Sequence, residues 1–305
     1  MAAGGRPPHP GAADSGAPPI PRASVRGMLQ RRESMEGAIS RNELFAGLSV
    51  IGFANGISEA VARTVSEKGP VSALMSTFDI SVLVWCACAI GIAFLLREPE
   101  QPARRSDWVV AACALAAFLV PVVPLSWLAI SGLAIHILHQ SPRSSFTHRG
   151  AWILLAMTVP MFWGRLVFAM LNDLILRGDA VLVGWLVGTP RIGNAILFPD
   201  GSGYLWIAPP CSSLANISLA ILCWVMVAKF RDHPGSLRNV GWVLAACAAV
   251  VAINVSRISL IGLYPHHYDL IHGSIGSAVA SWMILGATVG ICLLGVRHGH
   301  RAAGA

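Results

Sequence analysis

A cysteine, an arginine and a histidine carry the chemistry this sequence offers. Cys211 stands in Ile207-Ala-Pro-Pro-Cys211-Ser-Ser-Leu, Arg257 in Asn254-Val-Ser-Arg257-Ile, and His272 in Leu270-Ile-His272-Gly-Ser-Ile-Gly276. A thiolate attacks carbonyl carbon, an imidazole exchanges protons near neutral pH, and a guanidinium stays charged when partly desolvated and so stabilises an oxyanion. The three together suit acyl transfer through a thioester. The two prolines before Cys211 fit a helix start, where the dipole and unpaired amides favour a thiolate. The other six cysteines (Cys86, Cys88, Cys113, Cys223, Cys247 and Cys292) lie in apolar runs and are expected to pack as small hydrophobic side chains.

The elements that must position these residues are membrane helices. The chain is 55% hydrophobic and only 12% charged, against roughly 25% charged in a soluble domain. Apolar runs at 44–62, 71–96, 108–138, 152–171, 213–230, 240–263 and 274–296 have the length of bilayer spans. The third is too long for one helix and is broken at Pro121-Val-Val-Pro124, since paired prolines remove donors and disfavour helix before them. The pattern therefore predicts an all-α polytopic fold of about eight transmembrane helices. With a cytoplasmic N-terminus, 16 of the 22 Lys and Arg residues fall in segments read as cytoplasmic. The formal net charge of +7 is accounted for by those loops, so no nucleic-acid partner is expected.

This orientation puts both termini in the cytoplasm and residues 172–210 outside. There, 173–188 has the pattern of an amphipathic helix at the membrane surface. Two β-prone runs, 192–198 and 204–207, flank Pro199-Asp-Gly-Ser-Gly203 and predict a small extracytoplasmic β-hairpin before the sixth span. Residues 1–42, rich in Pro, Gly and Ala, are expected to be a disordered cytoplasmic tail. Residues 43–298 form the membrane domain, and 299–305 a short cytoplasmic tail. Cys211 is then the sole thiol on the oxidising side, with no partner for a disulfide.

Ionisable residues inside spans are costly and mark functional sites or structural pairs. Glu59, Asp79 and Arg165 fall in the outer halves of their predicted helices. They either line a water-filled vestibule for substrate or pair with one another, Glu59 or Asp79 with Arg165, to hold helices together. Two other functions fit parts of the chain. His266, His267, Asp269 and His272 are close in sequence and suit a zinc site, hence a membrane metallohydrolase. A transporter would use Glu59, Asp79 and Arg165 as a path, although no internal repeat of the kind common in transporters is visible.

The segment from Gly193-Asn-Ala-Ile through Asp200-Gly to Ile207-Ala-Pro-Pro-Cys211-Ser-Ser-Leu resembles the signature around the active cysteine of the exosortase/archaeosortase family. Asn254-Val-Ser-Arg257-Ile and His272-Gly-Ser-Ile-Gly276 resemble its second and third motifs, in the same order, and the likeness spans about residues 44–296. One departure is Ser212-Ser213, where many members have Ser-Gly. The resemblance implies a cysteine protease/transpeptidase of the plasma (inner) membrane, with its active site on the extracytoplasmic face. Its partners would be exported proteins with a C-terminal sorting signal: a short motif of the Pro-Glu-Pro type, a transmembrane helix and a basic cluster. It implies Cys211 as nucleophile, Arg257 as transition-state stabiliser and His272 as acid/base, with Asn254 and Ser212 in support and neither cofactor nor metal.

Overall fold

The computed structural model of the protein describes residues 39–99 and 101–303. The tail expected over 1–42 lies, up to residue 38, outside the described residues, as do the last two residues of the tail expected over 299–305. The protein is an all-α membrane protein: among the described residues, six helical stretches are long and apolar enough to cross a bilayer.

Helix α1 (Arg41–Lys68) starts ahead of its apolar run because Ser40 caps it. The Glu43 amide donates to the Ser40 hydroxyl at 3.2 Å and the Ser40 amide to the Glu43 carboxylate at 2.9 Å, satisfying two free donors of the first turn. A short α2 (Pro70–Met75) follows. The expected second span, 71–96, is not one helix. Thr77, Phe78 and Asp79 all take left-handed backbone angles (φ 51°, 56° and 55°), and α3 (Val82–Leu95) begins only after Ser81 caps it. The cause is polar competition for the backbone: the Thr77 hydroxyl donates to the Ile80 carbonyl at 2.7 Å, and the Leu83 amide donates to the Ser81 hydroxyl at 3.3 Å. Asp79 is thus in a turn and not inside a span.

Helices α4 (Arg105–Leu119) and α5 (Val123–Gln140) separate at Pro121, as the paired prolines predict. Helix α6 (Phe146–Thr158) runs through a wide π turn at Val159–Trp163 into α7 (Gly164–Val187). Pro160 lacks the N–H that an α-helical turn would use there, and the widened turn accommodates it. The whole helical path covers 42 residues, about 63 Å at 1.5 Å per residue and twice the hydrocarbon thickness. The surface helix expected over 173–188 is therefore not separate. It continues the preceding span across a kink at Leu171 (φ −123°, ψ 20°), and it buries Leu176, Ala180, Val183 and Val187 along one face.

Strands β1 (Arg191–Ile192), β2 (Ala195–Leu197) and β3 (Tyr204–Trp206) form a small antiparallel sheet in the order β1-β2-β3. The β-prone run 192–198 is split at Gly193, whose positive φ (62°) turns the chain between β1 and β2. After the sheet come α8 (Ser213–Phe230), α9 (Leu237–Leu263), a one-turn α10 (Tyr268–His272) and α11 (Ser274–Ala303).

The two larger of four apolar clusters among the described residues matter most for the site. One joins α1 and α3 to α6 with Leu222 of α8. Within it α3 and α6 approach closely: a Cβ on Gly150 would lie 2.8 Å from the Gly91 carbonyl oxygen, the kind of backbone contact that small residues permit. The second cluster gathers Leu176, Ala180, Val183 and Val187 of α7, Ile196 and Leu205 of the sheet, Ile207, and Val255, Ile258 and Ile261 of α9. Cys211 and Ile271 pack against it, so this cluster carries the site.

Candidate active site

Cys211 closes a tight turn. Pro209–Cys211 is a single 3₁₀ turn in which the Cys211 amide donates to the Ala208 carbonyl at 2.9 Å. The α-helix starts at Ser213, just beyond Cys211 and not at it: Ser212 is the N-cap of α8, accepting from the Leu214 amide at 3.3 Å. Cys211 therefore precedes the cap, half-buried and with a free thiol. The strand leading to it is fixed by a reciprocal pair: the Asn194 side chain donates to the Ile207 carbonyl and the Ile207 amide to the Asn194 carbonyl, both at 3.0 Å.

Helix α9 ties this turn to the His272 segment. Asn254 and Arg257 stand three residues apart, hence on one face of the helix. The buried Asn254 amide donates to the Cys211 carbonyl at 2.8 Å and to the Ser213 hydroxyl at 3.0 Å. One turn on, the half-buried Arg257 donates from Nε to the Ile271 carbonyl at 3.3 Å and from Nη2 to the His272 carbonyl at 3.2 Å. Those carbonyls end the single turn of α10, where the backbone has acceptors with no helical donor, and a guanidinium fork suits two neighbouring oxygens. The structure thus brings Cys211, Arg257 and His272 onto three segments bound to one another. Among the described residues, no hydrogen bond joins the thiol, guanidinium and imidazole directly. The His272 ring is exposed and stacks on Tyr268, with ring centroids 4.8 Å apart.

The glycines of the third motif have a steric reason. A Cβ on Gly276 would run into the backbone of Ile271, and one on Gly273 into the Asp269 carbonyl. Gly276→Ala must displace the Ile271 carbonyl, one of the two that Arg257 holds. It is expected to cost about 1–3 kcal/mol, the usual penalty of forced overpacking, read as a lower thermal midpoint of the purified protein in detergent.

Around these residues lie three cavities. Among the described residues, Arg257 is the only charged one lining a cavity of about 510 Å³ between α9 and α11, with Leu260, Ile271, Val279 and Met283; neither Cys211 nor His272 is in its wall. A second, of about 440 Å³, is lined by Arg63, Asp79, Arg165, Phe168, Pro209 and Ser212 among others. Of the expected vestibule residues, then, Asp79 and Arg165 share a cavity beside the Cys211 turn. Glu59 is exposed on α1 and lines neither. The alternative pairing with Arg165 does not form among the described residues. Lys68 Nζ instead lies 2.7 Å from both oxygens of Asp79, because the left-handed turn brings residue 79 back over the end of α1. A third cavity, of about 280 Å³, puts His266 and His267 beside Pro199 and Asp200 of the β2–β3 turn. Hydrogen bonds from the Ser202 hydroxyl and amide hold the Asp200 carboxyl below the usual carboxylate range. No group of three or more His, Cys, Asp or Glu side chains gathers in metal-binding geometry among the described residues, so the zinc set of His266, His267 and His272 is not assembled.

A buried acid beside this site escaped the sequence. Asp179 of α7, only 6% exposed, accepts from the Ser213 amide at 3.1 Å and the Ser213 hydroxyl at 2.9 Å. Its segment reads as an amphipathic surface helix, and a contact 34 residues away leaves no local pattern. Comparison with protein-family models, with curated proteins and with solved structures finds no match for this chain.

Proposed function

We propose that this protein is a membrane cysteine transpeptidase of the exosortase type, cleaving C-terminal sorting signals of exported proteins through a thioester on Cys211. The observation that carries the reading is the α9 bracket. Asn254 fixes the Cys211 carbonyl while Arg257, three residues on, fixes the carbonyls of Ile271 and His272. The three motifs whose order suggests the family are thereby joined by hydrogen bonds between segments distant in sequence.

In this reading the Cys211 thiolate attacks the scissile carbonyl, and the oxyanion that forms is stabilised by Arg257. Protonated His272, released from its stack on Tyr268, gives its proton to the leaving amine as the C–N bond breaks. The thioester is then resolved by an amine acceptor or by water, His272 taking the proton back. Strand β3 has one unpaired edge with Tyr204 and Trp206 exposed, an edge suited to an extended peptide added as a further strand. The apolar cavity beside Arg257 suits the apolar residues that follow the scissile bond.

The topology belongs to the same proposal: eight spans, with α3 and α4 as the short ones, in a plasma (inner) membrane. Its support is the way polar contacts sort along the bundle. Arg41 with Asp107 (3.0 Å), Arg104 with Gln140 (2.9 Å), Arg149 with the Lys229 carbonyl (2.7 Å) and Arg238 with the His298 carbonyl (3.4 Å) all join ends read as cytoplasmic. Lys68 with Asp79 and Arg257 with His272 join ends read as external.

A membrane-impermeant maleimide tests both sidedness and nucleophile. In intact cells it is expected to modify Cys211 and no other cysteine, and an exported protein bearing a sorting signal is expected to protect that thiol as a hydroxylamine-sensitive adduct. Labelling of Cys211 only after the membrane is opened would overturn the orientation, and an adduct that persists in Cys211→Ala would overturn the nucleophile.

A further inference from the structure

Asp179 has no role in the acyl-transfer scheme, yet it is a buried carboxylate without a cation within ion-pair distance among the described residues. Such a group is costly unless its oxygens are fully engaged. Here both are taken by one residue, Ser213, the first residue of α8: its amide donates to one oxygen and its hydroxyl to the other. Asparagine would accept only one of those bonds and would point an NH₂ group at the second donor.

The directions of the donors follow from this. A carboxylate only accepts, so the Ser213 hydroxyl must spend its proton on Asp179 and offer a lone pair elsewhere. That lone pair accepts from Asn254, which forces the Asn254 side chain to present its NH₂ group to the Cys211 turn. The second N–H of that group reaches the Cys211 carbonyl. The carboxylate at one end of the chain therefore reinforces, through the Ser213 lone pair, the amide orientation that the Cys211 carbonyl also demands. Without it, the Ser213 hydroxyl can turn its proton toward Asn254 and oppose an N–H instead of accepting from it, so the Asn254 amide keeps only the Cys211 carbonyl as a fixed acceptor.

We propose that Asp179 is a positioning residue for Cys211, acting through the Ser213 hydroxyl and the Asn254 amide to hold the turn that carries the thiol. As a statement about catalysis it rests on the cysteine-nucleophile reading; as a statement about the Cys211 turn it does not. Asp179→Asn keeps the volume of the side chain, and Ser213→Ala breaks the same chain at its middle from another helix. Each is expected to lower kcat for signal cleavage by about tenfold to a hundredfold, the effect of a small misplacement of a reacting group, with KM changed less than about twofold. Because both act on one chain, the double variant is expected to be no slower than the slower single variant.

The full-length protein in detergent gives a second readout. Alkylation of Cys211 by a bulky maleimide, followed at that residue by mass spectrometry, is expected to quicken about fivefold or more in each variant as the turn loosens. Wild-type rates of alkylation in both variants, or single effects on kcat that multiply in the double variant, would overturn the proposal. If the wild-type protein cleaves no sorting signal while alkylation still responds as expected, the positioning network stands and the transpeptidase reading falls. Should Asp179→Asn fail to fold, Ser213→Ala decides by the same two measurements.

Discussion

Cys211→Ala is expected to stop the release of a C-terminal sorting signal, with a loss of about 10³-fold or more, while the variant remains in the membrane fraction at wild-type abundance. The size of the effect follows from covalent catalysis. Removing a nucleophile deletes the acyl-enzyme route altogether, and what remains is binding and oxyanion stabilisation around an unactivated water. The stability cost is expected to be small. The Cys211 side chain is only half-buried, its turn is held by its backbone carbonyl on Asn254, and alanine keeps that backbone. Cys211→Ser is a sharper control, because a hydroxyl has nearly the shape of the thiol but is hardly ionised near neutral pH. It is expected to be as inactive as the alanine variant. The measurement is the ratio of full-length to shortened substrate in cells expressing each variant, beside the amount of enzyme in the membrane fraction. Cleavage by Cys211→Ala at even a tenth of the wild-type rate would remove the thioester from the mechanism.

The parts of this fold that are legible in sequence are those set by local rules. Helix α8 covers the apolar run 213–230, and the break between α4 and α5 falls at Pro121, because span length and missing donors are properties of a short window. The second span fails for a reason hydropathy does not register. Residues 71–96 are apolar enough on average, but Ser76, Thr77 and Ser81 offer the backbone other hydrogen bonds, and three left-handed residues end the helix there. The 42-residue path through α6 and α7 is hidden in the opposite way, since polar residues at Asn172 and Asp173 mimic a helix end that the kink at Leu171 only bends. In the candidate site, the motifs pick out Cys211, Asn254, Arg257 and His272. Asp179 and the use of Ser213 are invisible, because they exist only as a contact between α7 and α8. Ser213 stands in the sequence merely as a departure from the glycine more frequent in the proposed family. In the fold that departure acquires a role, since the serine hydroxyl links a carboxylate to Asn254.

Arg257 is where charge and geometry can be separated. Arg257→Ala is expected to lower kcat by about 10²–10³-fold, the usual cost of losing one oxyanion donor. Arg257→Lys is expected to recover little of it, although it restores the positive charge. In the structure Nε and Nη2 are committed to two successive carbonyls, of Ile271 and His272, and Nη1 has no hydrogen-bond partner among the described residues. Only a planar fork can keep both carbonyls and still present a fixed donor to a third oxygen. A lysine ammonium reaches either the carbonyls or the oxyanion, on a flexible stem, so the charge returns without its direction. The readout that distinguishes this from general damage is the Cys211 turn. Asn254, not Arg257, holds that turn, so maleimide reaction at Cys211 is expected to stay within about twofold of wild type in both Arg257 variants while kcat collapses. An Arg257→Lys enzyme with kcat within about threefold of wild type would mean that net charge in the apolar cavity suffices and that the two carbonyl contacts are incidental. An Arg257→Ala enzyme that cleaves normally would show that Arg257 does not stabilise the oxyanion and would remove it from the chemistry.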